Sequence, residues 1–378
     1  MRFTSQFETW YPQFGETFQE LLDTKCQPEY QNYLYGTLSN TSIDWVRGAD
    51  QNNLFTQPVI ECILDETSEY IKSSLSSAQI ILGLTPTVLA LIGASSEESA
   101  LMAIIGKRPF LTFLLSVSSP SVHLTRAFEY RDPQEVLHDP RGRHQHKLGN
   151  PRPTLLSSRK FIFGEYVLVL AALVNVGFIN WDLSRRATCT LFSELTFMPA
   201  LWAVIVVFIH ATGVGVLRLR VRRTTEHHDE SPTKWPWDWV RRRMASEFRK
   251  GLPREFCTVA YQDGGKIFVD WFPETRLFIG LTWFLSIGNV VHIVFGTLVF
   301  SGMTFVGPRD ALQIFGRYMA SALACRIILT HELAGLKDAY NAGLDVEAEG
   351  SEHWRCERKV DCHGCGGRRD ADMCSSDY

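Results

Sequence analysis

FIFGEYVLVLAALVNVGFI (161–179), LTFMPALWAVIVVFIHATGVGVL (195–217) and LFIGLTWFLSIGNVVHIVFGTLVFSGM (277–303) contain a single carboxylate, Glu165, and no Lys or Arg. Crossing a hydrocarbon core of about 30 Å takes roughly 20 such residues at 1.5 Å each. All three runs are long enough. Each is apolar all round, whereas the helices of a water-soluble domain carry their apolar residues on one stripe. The mean hydropathy of -0.05 averages these runs with polar loops and termini and so conceals them.

Working outward, AQIILGLTPTVLALIGAS (78–95) is apolar for long enough to form a first span, with Pro86 kinking it. Beyond a polar break, ALMAIIGKRPFLTFLLSVS is divided by Gly106-Lys107-Arg108-Pro109, and neither half can cross alone. It reads as an interfacial or re-entrant segment whose Lys107 and Arg108 snorkel to head groups. The last apolar stretch, 311–330, is interrupted by Arg317 and Arg326, each close enough to an end to snorkel. Gly316, Ala320 and Ala324 give it a small-residue face on which another helix can pack. The expectation is an all-α, multi-pass transmembrane helical bundle with four or five spans plus interfacial helices, the fifth span being favoured.

The 378 residues divide accordingly. Residues 1–75 form an acidic region with four Lys or Arg against eleven Asp or Glu, in which Phe14, Phe18, Leu21 and Leu22 line one helical face. Segment 78–118 is the first span plus the re-entrant piece, 119–160 a basic loop, 161–217 two spans, and 218–275 a second basic loop. The last one or two spans fall in 276–330, and a Cys-containing tail occupies 331–378. The chain opens without a basic start followed by an apolar run, so the first hydrophobic helix is expected to do the targeting. Lys and Arg concentrate in 119–160 (eight) and 218–275 (twelve), which places both loops in the cytosol, the N-terminus outside and the C-terminus inside. Asn40, in the sequon Asn40-Thr41-Ser42, then lies where glycosylation occurs.

The stretches ILGLTPTVLALIGASSEESALMAIIGKRPFLTFLLSVSSPSV, RAFEYRDP and GRYMASALACRIILTHELAGLK resemble an uncharacterised family of multi-pass membrane proteins of filamentous fungi. The resemblance covers roughly 78–135 and 275–337. It implies a fungal source and a membrane location, and brings no activity or catalytic residue with it.

Several residue groups carry chemistry. In the tail, His353, Cys356, Cys362 and Cys365 have the spacing of a small zinc site, with a thiol-containing tail as the plainer reading. The nine cysteines do not otherwise suggest a disulfide framework. Asn175, His210, Asn289 and His292, with Arg317 and Arg326, are polar groups at membrane depth, read as interhelical hydrogen bonding or as a solute path. In WPWDWVRRRMASEFRKGLPR (235–254), Trp237 lies among Arg241, Arg242, Arg243, Arg249 and Lys250. That composition suits a helix on anionic inner-leaflet lipid, and nucleic acid is not expected as a partner of a membrane-tethered segment. His331-Glu332 lacks the second histidine of HExxH, and no familiar catalytic motif appears. The leading expectation is a non-catalytic accessory or scaffolding component, without a resident cofactor apart from the tail zinc. A small transporter or channel is the alternative, and a membrane enzyme acting on a lipid or hydrophobic metabolite the second. A polar-lined cavity open to one face favours transport, a laterally open pocket with His and carboxylate favours an enzyme, and a closed bundle favours scaffolding.

Overall fold

A computed structural model describes residues 6–36, 55–123, 137, 155–224, 255–259 and 267–364, with side chains in the fourth and last of these segments limited to 160–221 and 267–344. Among the described residues ten helices run in the order α1 (Gly15–Thr24), α2 (Gln27–Tyr35), α3 (Thr56–Glu66), α4 (Glu69–Ile92), α5 (Ser96–Ile104), α6 (Pro109–Ser118), α7 (Leu155–Arg186), α8 (Met198–Arg218), α9 (Arg276–Ser301) and α10 (Pro308–Gly364). Five of them, α4 and α7 to α10, are long and apolar enough to cross a membrane, so the protein is a multi-pass membrane protein with a helical bundle. Two short antiparallel ribbons close opposite ends of it. One joins β1 (Thr188–Cys189) to β4 (Met303–Thr304), and the other joins β2 (Val221–Thr224) to β3 (Phe268–Trp271).

The end bearing β1 and β4 is capped by α1 to α3. Phe18 and Leu22 of α1 point inward with Val59, Ile60 and Ile63 of α3. Phe7, Trp10 and Phe18 surround Phe305, at ring distances of 6.2, 5.3 and 5.2 Å. Cys26 and Cys62 form a disulfide across α2 and α3, which corrects the reading of the cysteines as unpaired: the partners are 36 residues apart and meet only once α1 to α3 pack.

Among the described residues the bundle interior has two large cores, beside a small cluster of Val122, Val206, Ile209 and Leu285. Near the cap, Ala78, Leu82 and Leu89 of α4 pack with Val176 and Ile179 of α7, Trp202 of α8, and Ile314 and Tyr318 of α10. Toward the other end, Ala100 to Met102 of α5 and Leu111 to Leu115 of α6 pack with Val169, Leu217, Ile328 and Leu333. The two cores meet where α4 stops. Pro86 approaches Gly296, five residues before the end of α9, where a Cβ would lie 2.9 Å from the Pro86 ring. Ile92 is therefore roughly 16 Å of helix below the capped end of α9.

After a break at Gly93-Ala94-Ser95 the chain continues into α5. Stretch 78–95 falls largely within α4, one of the five helices long and apolar enough to cross. That helix begins at Glu69, with Leu75 in the cap core, and ends at Ile92. A capping box restarts the chain: Ser95 Oγ accepts from Glu98 N and Glu98 Oε2 from Ser95 N, both at 3.0 Å. From the hairpin tip α6 runs back, bringing Val122 beside Ala94, with His123 N donating to Ala94 O at 3.0 Å. The 96–118 segment is thus a helical hairpin. Its tip turns through Lys107 at φ 54°, and a Cβ on Gly106 would strike the carbonyl oxygen of Met102. This second end of the bundle is called the tip end below.

Candidate functional site

A chain of charged and amide groups follows α10 from the cap to the tip. On α10 the positions are Asp310, Arg317, Arg326 and Glu332, separated by roughly 10, 13 and 9 Å of helix. Their partners come from α7 and from the hairpin.

At the capped end a cleft of about 270 Å³ is lined by Tyr11, Asp182, Arg186, Asp310 and Arg317, among others. Arg186 Nε lies 3.8 Å from Asp182 Oδ1, and its guanidinium sits over the Tyr11 ring. Asp310 Oδ2 accepts from Gln13 N at 3.1 Å. One side of the cleft is thus built by the N-terminal segment.

Deeper in, Arg317 Nε donates to Asn175 Oδ1 at 2.9 Å, while Asn175 Nδ2 donates to Arg317 O and to Ser321 Oγ at 2.9 and 2.8 Å. The Arg317 guanidinium lies 5.3 Å from the centre of the Phe178 ring. Nearer the tip, Arg326 pairs with both oxygens of Glu98, so one carboxylate both caps the broken helix and neutralises a membrane-depth arginine. Arg317 and Arg326 accordingly hold partners inside the bundle in place of snorkelling. An arginine in hydrocarbon is stabilised more by a fixed carboxylate or amide than by a stretched reach to water.

The tip end holds the most buried charges. Arg108, wholly shielded from solvent, places Nη1 3.0 Å from Glu165 Oε2 and 2.8 Å from Glu332 Oε1. Its Nε donates to Glu255 O at 3.1 Å, and Val259 N donates to Glu332 Oε2 at 3.2 Å. The expectation that Arg108 reaches head groups is overturned, because the hairpin tip carries it inward between α7 and α10, where the two carboxylates await it. Glu255 in turn holds the start of α6, accepting from Leu111 N at 2.8 Å and from Tyr166 Oη at 3.0 Å. Burial pushes the Glu255 carboxyl above its usual range, against the opposing effect of those donors.

His331 stands beside this group, with Nδ1 3.9 Å from both Glu165 Oε1 and Glu332 Oε1. One oxygen from each carboxylate and one imidazole nitrogen lie within 4.8 Å of one another, a donor set that suits zinc or manganese. Arg108 already stands as the cation between the two carboxylates, and a divalent ion bound there would have to displace its guanidinium.

The remaining intramembrane residues serve the packing of α8 and α9. His292 Nε2 lies 3.0 Å from Trp202 O, and its ring stacks on the indole at 5.2 Å. His210 and Asn289 are buried on α8 and α9. The backbone of Ser121 offers His210 a hydrogen bond, so the two histidines have separate partners. The small-residue face of α10 is not a packing face among the described residues: Gly316 and Ala320 are exposed, and a Cβ on Gly316 would meet nothing within 4 Å.

Asn40, the segment from Trp237 to Lys250 with Arg241, Arg242, Arg243 and Arg249, and Cys365 lie outside the described residues. The backbone of His353, Cys356 and Cys362 belongs to α10, while their side chains lie outside the described set. Sequence reasoning passed over Glu98 and Glu255, which it did not single out, and gave Arg108, Glu165 and Glu332 no common role. The available signal was a carboxylate inside an otherwise uncharged run, Glu165, which demands a buried partner. No protein-family model, no curated protein and no solved structure matches the chain.

Proposed function

We propose that this protein carries a small polar solute across the membrane by alternating access. The observation that supports it most is the break at Gly93-Ala94-Ser95 between α4 and α5, followed by a helical hairpin whose tip is held by Arg108. Discontinuous helices with charged groups at membrane depth are the usual construction of carrier sites, since freed backbone and fixed charges there can take up a solute. A cleft near the capped end lined by charged as well as apolar side chains, opposite an ion-paired tip, fits one half of such a cycle. A scaffolding role needs neither the break nor the buried charges.

The capped end is exoplasmic in this reading. The Cys26–Cys62 disulfide belongs to an oxidising compartment, and the basic loops 119–160 and 218–275 adjoin the tip end, where the positive-inside rule puts the cytosol. The basic Trp237–Lys250 segment then faces anionic inner-leaflet lipid.

The test is reciprocal accessibility. In full-length protein retaining Cys26 and Cys62 but with its other cysteines replaced, Gln313→Cys reports on the cleft and His331→Cys on the tip. Adding Glu332→Gln, which weakens the lock without stranding a charge, is expected to raise labelling at 331 by an impermeant thiol reagent and lower it at 313. Labelling that rises at both sites, or changes at neither, speaks for a bundle that does not alternate.

A further inference from the structure

The cleft at the capped end has the chemistry of a particular solute class. We propose that it binds a small zwitterion, the carboxylate on Arg317 and Tyr11 and the ammonium between Asp182 and Asp310. The inference rests on the carrier reading in that it names the substrate class of the same path.

Four charged side chains face the cleft, two arginines and two aspartates, so their formal sum is zero. A lone anion or cation entering it leaves one sign unbalanced in a partly desolvated place, whereas a zwitterion meets both. Arg317 is aimed and held for this purpose. Its Nε is fixed by Asn175 and its plane lies over Phe178, and among the described residues no hydrogen bond or ion pair uses its two terminal nitrogens. Those nitrogens form half of a fork suited to a carboxylate.

The second observation is Tyr11. Its side chain is 6 % exposed, it lines the cleft, and its hydroxyl oxygen has no hydrogen-bond partner. A buried hydroxyl without a partner is costly unless a ligand supplies one. Burial first, and then the Asp182 carboxylate, push the hydroxyl well above the usual phenol range, so it remains a donor at every physiological pH. Asp310 keeps Oδ1 available while Oδ2 accepts from Gln13 N. The volume, about 270 Å³, is at the small end for ligand sites and suits a molecule of amino-acid size, its side chain lying on Phe178.

The experiment uses the full-length protein in lipid nanodiscs and three probes sharing one aliphatic group: leucine, 4-methylpentanoate, which lacks the ammonium, and 3-methylbutylamine, which lacks the carboxylate. Binding is read by calorimetry and by thermal shift. Leucine is expected to bind about tenfold or more tighter than either relative, since each loses a charge-assisted contact. Arg317→Gln is expected to abolish leucine binding, and Tyr11→Phe, which removes one oxygen and leaves the packing, to weaken it several-fold. Asp310→Asn should weaken leucine but not 4-methylpentanoate. Equal binding of all three probes, binding of none, or leucine affinity untouched by Tyr11→Phe and Arg317→Gln overturns the proposal. Reciprocal cysteine labelling without leucine binding overturns this inference and leaves the carrier reading standing, while leucine binding without reciprocal labelling does the reverse.

Discussion

The capped end is held by aromatic contacts and one covalent cross-link, whereas the tip end is held by a handful of directed charges. Around Phe305 the cap brings Phe7, Trp10 and Phe18 into edge contacts, which are non-directional enough to survive small shifts. At the tip, Arg108, Glu165, Glu255 and Glu332 come from four segments separated in sequence by up to 224 residues among the bonds they share. Burial by area tolerates movement, while a buried ion pair is satisfied in one geometry and costly in any other. The two ends thus differ in what holds them: apolar area and a cross-link at the cap, directed charge pairs at the tip.

The largest effect that would break the comparison is expected at the lock. Arg108→Gln strands Glu165 and Glu332 in a buried site, and a loss of about 3–5 kcal/mol in stability is expected from the melting of the purified protein. Adding Glu165→Gln and Glu332→Gln to that variant should recover much of the loss, because the penalty comes from uncompensated charge. If the single substitution is neutral, the tip is not held by these charges.

Next in size is the cap. Replacing Cys26 and Cys62 with Ala removes a constraint worth about 2–4 kcal/mol for a loop of this length. Hydrogen exchange should show loosened α1 to α3 and an unchanged tip. Exchange that rises equally at both ends would mean the two regions fold as one unit.

Much of the architecture was legible in sequence because it depends on local composition. The runs that became α7, α8 and α9 carry their own evidence, as does the face of Phe18 and Leu22. The break between α4 and α5 was not legible in the same way: stretch 78–95 reads as one run, and its end is marked only by the Ser95–Glu98 capping box that restarts the chain. Arg108 and Arg326 have local surroundings that suit snorkelling or pairing equally, and their carboxylates lie 57 and 228 residues away. Gly316 and Ala320 advertise a close helix contact that nothing among the described residues makes. Local pattern thus reports which segments enter the membrane, and long-range pairing decides what they hold there.

The smallest expected effect sharpens the contrast through pH. Burial raises the Glu255 carboxyl above its unfolded value, so its contribution to stability is complete below the ordinary glutamate range and is lost as pH rises through the raised value. Glu255→Gln, which keeps the neutral shape, is expected to flatten the fall in melting temperature as pH rises above the ordinary glutamate range. Cap melting, followed by Trp10 fluorescence, should be the same in both proteins. A slope unchanged by the substitution would assign the pH response to other groups.

The cross-link between Cys26 and Cys62 also governs what becomes of a damaged molecule. A protease that cuts anywhere between those residues severs the backbone but not the molecule, because the fragment bearing α1 and the start of α2 stays attached through sulfur to α3 and the bundle. Such a nicked chain keeps its full mass until a reductant is added. Released thiols, and not the cut itself, would then set the moment at which the segment bearing Tyr11, one side of the cleft, loses its covalent tie to the bundle.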